Sequence, residues 1–374
     1  MAIRLNLDDQ QTDYYYPGSL SDSRLLHADL SDQIEVLLPQ FGQGYVQKIP
    51  LRDDLCLYIL DHTTCDTLMI EDSGQRLNQS LEFSFHLSGE TTGQSVFFPH
   101  FGLRMLNIWP AQQRMFKVEV FFKSSAFATY CQAIFERLSP QFQHLIYKFL
   151  ARIYPYPFGG PTPSSQATFN QMLSGAIAPP QTLSIDQLWS NPDFLGVGHL
   201  LHRPMTAEMH QVIQQILSCP YSGRTRRTYL ENKVLELSSL KLNALYQVRF
   251  PSYPVGSADL DSVYEAGKIL ARHLNNPPSV DALARQVGLN RLKLNCGFHH
   301  VYGVTPFRYL RDCRLEQAYQ LLITSELAVE AVAHQVGYTS RSNFATAFRR
   351  KFGLNPKAFQ LYIRNPPQQW SRAS

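Results

Sequence analysis

The sequence predicts an α+β chain: an N-terminal β-barrel or sandwich with a helical section behind it, then an all-α C-terminal domain holding two helix-turn-helix units. Three observations carry that reading. Short alternating apolar runs fill the stretch from Ile34 to about Phe122, helical spacing returns at Ser124, and the last quarter, Val280 to Tyr362, contains one pattern twice. Two loop-like segments then suggest the division: a β-rich domain over 1–160, a helical linker or dimerisation section over 161–250, and the double-unit domain over 258–364.

Residues 1 to about 24, with Tyr14-Tyr-Tyr16 and Pro17-Gly18, show no clear periodicity and read as an irregular arm. Strands are expected at Leu55–Leu60, Thr67–Ile70, Leu81–Leu87, Ser95–Phe98, Arg104–Trp109 and Phe116–Phe122, with Gly, Asp, Asn and Pro at the joints. Strands so short and so spaced argue for a sandwich or small barrel, whose inward side chains surround a concave, mostly apolar volume suited to a small molecule. Tyr58, Phe83, Phe85, His86, Arg104 and Trp109 are the candidate lining, although alternating aromatics in strands more often serve only as core. His86 and His100 fit no metal-ligand spacing, so neither a metal site nor a catalytic centre is expected.

Helical spacing marks Ala126–Tyr130 and Gln143–Leu150, and four prolines within Tyr154–Ser165 then require a loop. Further on, Thr206 is placed to cap a helix over Ala207–Leu217, Pro220 and Gly223 break the chain, and an amphipathic helix follows over Thr228–Tyr246. That helix has two uses: packing on the β domain, or pairing with its twin in a homodimer. Pro251–Ser257 is a second linker, a helix over Asp259–Asn275 opens the last domain, and Asn365–Ser374 is a frayed tail.

The repeated pattern is Asp281-Ala-Leu-Ala-Arg-Gln-Val-Gly288 and Glu330-Ala-Val-Ala-His-Gln-Val-Gly337, offset by 49 residues. Each copy is a short amphipathic helix ended by a glycine in the left-handed cap position. A tight turn follows, and Asn290 and Thr339 are read as N-caps of the next helices. By Phe298 and Phe348 the offset has become 50, so one residue has been inserted near the turn. The polar faces of these second helices carry Asn290, Arg291, Lys293 and Asn295 in the first copy, and Ser340, Arg341, Ser342, Asn343, Arg349, Arg350 and Lys351 in the second. Such residues fork to guanine, pair with adenine or clamp phosphates, so double-stranded DNA is the expected partner.

A lone helix-turn-helix pattern is weak; two copies joined by the long amphipathic run Thr305–Leu322 are not. The segment resembles the DNA-binding domain of the AraC/XylS family of transcription regulators at Ala282-Leu-Ala284, Gly288, Phe298, Gly303-Val-Thr-Pro306, Tyr309-Leu310, Val336-Gly-Tyr338, Ser342-Asn-Phe344, Phe348, Phe352-Gly353 and Pro356. The resemblance implies a cupin-like barrel in front and contact with RNA polymerase, with activation of transcription the outcome expected. Gln215–Gly223, Tyr229–Leu237, Phe83–Gly89 and Gly288–Asn295 resemble the siderophore-responsive PchR subgroup of that family, which implies a ferric siderophore as effector and iron-uptake genes as targets. An AraC-type regulator answering another metabolite, or an enzyme fused to a DNA-binding domain, are the alternatives; the second needs an activated cysteine beside a histidine, and none is evident.

Composition agrees. From Asp259 onward fifteen Lys and Arg face eight Asp and Glu, whereas residues 1–258 hold nineteen against twenty-two, so the overall charge of +4 conceals one basic domain. The six cysteines form no Cys-x-x-Cys pair and no Cys/His zinc spacing, so reduced thiols and no resident cofactor are expected. No apolar run of 18 residues occurs and Met1–Asp9 lacks the apolar centre of a signal peptide, from which a cytoplasmic protein is expected, without membrane partners.

Overall fold

The computed structural model describes residues 2–6, 14–72, 80–88, 93–97, 105–137, 202–246 and 257–364. His100, Arg104, the helical pattern at 143–150, the Pro-rich stretch at 154–165, the linker at 251–256 and the tail at 365–374 lie outside these.

Eleven strands are found among the described residues: β1 (Ala2–Asn6), β2 (Tyr15–Pro17), β3 (Gln33–Leu37), β4 (Gly42–Arg52), β5 (Leu55–Thr64), β6 (Thr67–Asp72), β7 (Ser80–His86), β8 (Gly93–Phe97), β9 (Met105–Trp109), β10 (Arg114–Lys123) and β11 (His202–Arg203). Eight of them make one antiparallel sheet in the order β11-β8-β7-β10-β5-β4-β3-β2, and β1, β6 and β9 make a second, smaller sheet. The arm at 1–24 therefore contains two strands among its described residues. Ala2–Asn6 pairs parallel with β6 and Tyr15–Pro17 pairs with β3, edge positions that need backbone partners but impose no apolar alternation. Nor does the larger sheet close into the barrel the sequence led us to expect: among the described residues it ends at β2 on one side and β11 on the other, and β6 and β9 leave it for the smaller sheet.

Period-two alternation sorts the large sheet into two unlike faces. Leu57 pairs with Val120, which pairs with Phe83, and this row with Leu55, Ile59, Phe85, Val118 and Phe122 is fully buried. Helices α1 (Ser124–Arg137), α2 (Ala207–Leu217) and α3 (Gly223–Tyr246) cover it through Ile134, Met209, Val212, Ile216, Leu230, Val234 and Leu237. Thr206 caps α2 as its position suggested, its hydroxyl accepting from the Met209 amide at 3.3 Å. Helix α3 starts at Gly223 rather than Thr228, because its first turn is anchored to the β2–β3 connection. Asp29 accepts from the Gly223 amide at 2.8 Å, and Arg226 forks onto buried Asp32 at 2.9 and 2.8 Å.

Seven helices follow: α4 (Ser257–Arg272), α5 (Val280–Gln286), α6 (Arg291–Tyr302), α7 (Pro306–Thr324), α8 (Val329–Gln335), α9 (Arg341–Phe352) and α10 (Pro356–Arg364). Leu283, Leu294 and Phe298 share one core with α4, and Val332, Phe344 and Phe348 share another with α10. Helix α7 enters both, giving Tyr309, Leu310 and Cys313 to the first and Leu315, Ala318 and Leu322 to the second. One rigid rod thus carries two three-dimensional copies of the same unit.

Candidate nucleic-acid interface

The turn of each unit is made by the same hydrogen bonds. Leu289 N donates to Ala284 O at 2.9 Å and Gly288 N to Arg285 O at 3.2 Å; Tyr338 N donates to Ala333 O at 2.8 Å and Gly337 N to His334 O at 3.0 Å. This is the paired 6→1 and 5→2 arrangement of a Schellman cap, and it needs the left-handed φ of +70° at Gly288 and +88° at Gly337. In the first unit the chain reaches its next N-cap two residues later, at Asn290, whose side chain accepts from Lys293 N at 2.8 Å. In the second the N-cap is Ser340 and not Thr339: the Ser340 hydroxyl accepts from Asn343 N at 3.3 Å. The inserted residue therefore sits in the turn, and from the N-cap onward the two helices are in register at an offset of 50 (Asn290/Ser340, Arg291/Arg341).

The candidate contact residues divide by what already holds them. Arg341, Ser342 and Asn343 stand exposed in the first turn of α9, and Arg291 stands exposed in that of α6 with only a loose 3.7 Å approach to Asp281. Asn290 and Ser340 spend a side-chain acceptor on the backbone. Lys293 does not extend freely: its Nζ lies 3.2 and 3.1 Å from the two carboxylate oxygens of Asp259, tying α6 to α4. Asn295 is half-buried on the same helix. At the other end of α9, Arg349 and Arg350 are exposed, whereas Lys351 meets Glu316 at 2.7 Å and donates to Asp312 O at 3.2 Å, tying α9 to α7. All three cations also sit where the helix dipole favours positive charge. Leu292 was absent from the sequence-based set, yet it is 57% exposed beside Arg291; the signal for it was an apolar residue that the helical period places off the core face of α6.

The residues proposed for a small-molecule pocket are split by the alternation of β7. Phe83 and Phe85 are 0% exposed within the helix-covered core, so they belong to packing and reach no open surface. Tyr58 and His86 lie on the opposite, polar face, in register with Glu119 and Lys117. There Ser84 donates to Glu119 at 3.4 Å and lies 3.2 Å from His86 Nε2, Lys117 pairs with Glu119, and Lys48 pairs with Glu35 while lying 5.6 Å from the Tyr58 ring. Burial pushes the Tyr58 hydroxyl up to about 12, and burial together with Glu119 holds the Glu82 carboxyl well above its ordinary range. Trp109 belongs to the smaller sheet, where its ring centroid lies 4.4 Å from that of His62 and 5.8 Å from that of Tyr14. His62 is 1% exposed and both of its ring nitrogens lack a hydrogen-bond partner among the described residues, as does the buried Tyr15 hydroxyl. Burial lowers His62 to about 4, so the ring is neutral.

No cluster of three metal-ligating side chains is found among the described residues, and all six cysteines are free thiols. No described helix is long and apolar enough to cross a membrane.

Two N-capped reading helices on one connecting rod define a double helix-turn-helix domain. Residues 283–361 match the model of a helix-turn-helix domain family, and this C-terminal segment belongs to the AraC type of that domain. Residues 183–252 match the family model described as the regulatory protein PchR N-terminal domain. The regulatory protein PchR of Pseudomonas aeruginosa is 35% identical over 136 residues, 36% of this chain and 46% of its own length. The helix-turn-helix transcriptional regulator AlkR of Acinetobacter baylyi is 39% identical over 84 residues, 22% of this chain and 28% of its own. The matched stretches thus span less than half of these relatives. A solved DNA-binding domain of AdpA, a global transcriptional factor in complex with a target DNA, aligns over 28% of this chain and 96% of its own at 29% identity and a TM-score of 0.27.

Proposed function

We propose that the chain is a sequence-specific DNA-binding transcriptional regulator, an activator of iron or siderophore uptake genes that responds to a ferric siderophore. One observation supports the DNA reading above all: two helix starts in repeat register each present an exposed arginine, Arg291 and Arg341, on a basic domain. The effector reading is supported by the match of 183–252 to the PchR N-terminal domain and by the likeness to PchR. Iron that arrives already chelated needs no protein ligand set, which suits a polar face of Tyr58, Lys48, Ser84, His86 and Glu119 better than a metal centre. Stacking on Trp109, with Arg104 drawn to an anionic chelate, is the binding mode we propose for the effector. RNA polymerase is the further partner proposed, and the α2–α3 section is the proposed contact of a homodimer. No enzymatic activity is proposed.

The test titrates the whole chain with a duplex selected from a random pool, at several salt concentrations, with and without iron-loaded and iron-free siderophore. Affinity should fall steeply with salt, and only the loaded chelate should change it. Failure to retain any duplex at low salt overturns the DNA reading; binding indifferent to every chelate, or altered by another metabolite, overturns the siderophore assignment alone.

A further inference from the structure

Leu292 is a large apolar side chain held in water in the first turn of α6, between Asn290 and Arg291 on one side and the ion-paired Lys293 on the other. It does not belong to the unit's core, which Leu294 and Phe298 fill at 0% exposure. Scattered exposed leucines are ordinary, but side chains in this turn of a reading helix are the ones that reach base edges. The apolar feature of the major groove is the thymine methyl group. We infer that Leu292 reads a thymine by covering its 5-methyl group, an inference that rests on the DNA-binding reading above. At the matching place the second unit carries Ser342, so the two half-sites are read differently.

The experiment pairs deletion of the protein's methyl groups with deletion of the base's. Each thymine of a duplex selected by the full chain is replaced in turn by uracil, and affinity is measured for the wild-type chain, Leu292→Ala and Leu292→Met. One position in the half-site facing α6 should cost the wild type about 4-fold, the equivalent of ~0.8 kcal/mol for one methyl group removed from water. That cost should vanish in Leu292→Ala and persist in Leu292→Met. Retention of the duplex with no uracil penalty that depends on residue 292 overturns the assignment; absence of any retained duplex overturns the DNA reading itself, and this inference with it.

A separate observation distinguishes the two units. The core of the first contains only residues of the C-terminal domain, among the described residues. The core of the second also contains Met69 of β6, at 0% exposure, with Ile108 of β9 packed against it. Beyond Ile108, the chain turns so that the Pro110 ring lies 2.6 Å from where a Cβ on Gly353 would stand, at the left-handed C-cap of α9. The same turn is tied to both sheets: Thr64 of β5 donates to Pro110 O at 3.0 Å and Ala111 N donates to Thr67 of β6 at 3.1 Å. None of this covers Arg341, Ser342 or Asn343 at the reading end of α9, which stay exposed. We propose that Met69, Ile108 and Pro110 form a latch through which the sheets govern the second unit and leave the first unit free, with the His62–Trp109 ring pair as the sensing end. This too rests on the DNA-binding reading. An occupant of the polar face that gave His62 a partner would favour one placement of Trp109, and therefore one position of the latch.

Linkage makes the relation reciprocal, so DNA on the second unit must disturb Trp109. Trp189→Phe with Trp370→Phe leaves Trp109 as the one tryptophan of a full-length chain. Saturation with the selected duplex should shift its emission, and the shift should be lost in Ile108→Ser and in the half-exposed turn variant Pro110→Gly, which remains usable if the first does not fold. Bound duplex with unmoved emission, or a shift that survives Pro110→Gly, overturns the latch. Absence of bound duplex removes the DNA reading and the latch together.

Discussion

Arg314 donates from Nε to the carbonyl oxygen of Leu274 at 2.8 Å, reaching from the middle of α7 to the loop that precedes the first helix-turn-helix unit. Its guanidinium carbon also lies 5.9 Å from the ring of Tyr338, in the turn of the second unit. The space it crosses is closed to side chains, since a Cβ on Gly337 would stand 2.5 Å from Leu274 O and 2.7 Å from Arg314 Nη2. One residue therefore bridges the loop before the first unit and the turn of the second, in addition to the connection made by α7.

Arg314→Ala should break that bridge. The expected loss is about 1–3 kcal/mol of stability, from a part-buried carbonyl left without its donor and a lost ring contact. Binding to a duplex with two half-sites should fall more than binding to a single half-site. Urea unfolding and a comparison of the two duplexes check this; equal losses on both would show that Arg314 stabilises without aligning.

Lys293 and Arg341 carry like charges in the first turns of their helices but should behave differently. Arg341→Ala should cost roughly 1–3 kcal/mol on the selected duplex and relax preference at one base pair. Lys293→Ala breaks the contact with Asp259, so its effect should appear as lower stability of the C-terminal domain, with base preference unchanged. Arg349→Ala and Arg350→Ala should weaken all duplexes alike and flatten the salt dependence. Affinity profiles on a panel of single-base variants separate the three behaviours.

What the sequence could and could not show follows from the range of the forces involved. The glycine turns at Gly288 and Gly337 and the caps at Thr206 and Asn290 are local hydrogen-bonding problems, and residue types near them state the solution. Ser340 was missed because Thr339 satisfies the same rule one residue earlier; only the register of Phe344 and Phe348 against the core decides between them. Phe83 and Phe85 were grouped with His86, although a strand cannot show residues 85 and 86 on one face, so alternation itself held the correction. The pairing of Lys293 with Asp259 and the burial of Met69 in a distant helical core are tertiary facts without local signature, whereas Leu292 was legible in the helical period of α6.

The joint between sheet and helices depends on a buried ion pair. Arg226 and Asp32 are almost completely enclosed, with Gln47 Nε2 donating to the same carboxylate at 2.8 Å and Arg226 Nε donating to His27 Nδ1 at 3.0 Å. Removing one partner leaves the other charge buried, so Asp32→Ala should cost about 3–5 kcal/mol. Removing both charges in Asp32→Leu with Arg226→Met should recover a large part of that. Denaturant unfolding of the single and double variants gives the cycle; a double variant no better than the single would mean that the pair's geometry, and not its desolvation, sets the cost.

His62 should make stability depend on pH in a definite window. Burial lowers it from 6.5 to about 4, with Lys117 adding to the effect and Glu119 and Asp61 opposing it. Between those values the unfolded chain binds the proton and the folded chain does not, so stability rises with pH. The contribution is complete above pH 6.5, falls as pH drops toward 4, and amounts to about 3 kcal/mol across the window at ~1.4 kcal/mol per pKa unit. Other groups titrate in the same range, His27 among them in the same direction, so the informative quantity is the difference from His62→Phe. That variant keeps a ring against Trp109 and removes two buried nitrogens that have no partner among the described residues, so it should be at least as stable as the wild type at pH 7.5. At pH 4.5 it should exceed the wild type by a further 2–3 kcal/mol or so, the linkage expected from that shift. Urea midpoints at the two pH values measure it. A wild type and His62→Phe that lose stability in parallel would show that His62 finds a hydrogen-bond partner in solution and is not a neutral, unpaired ring.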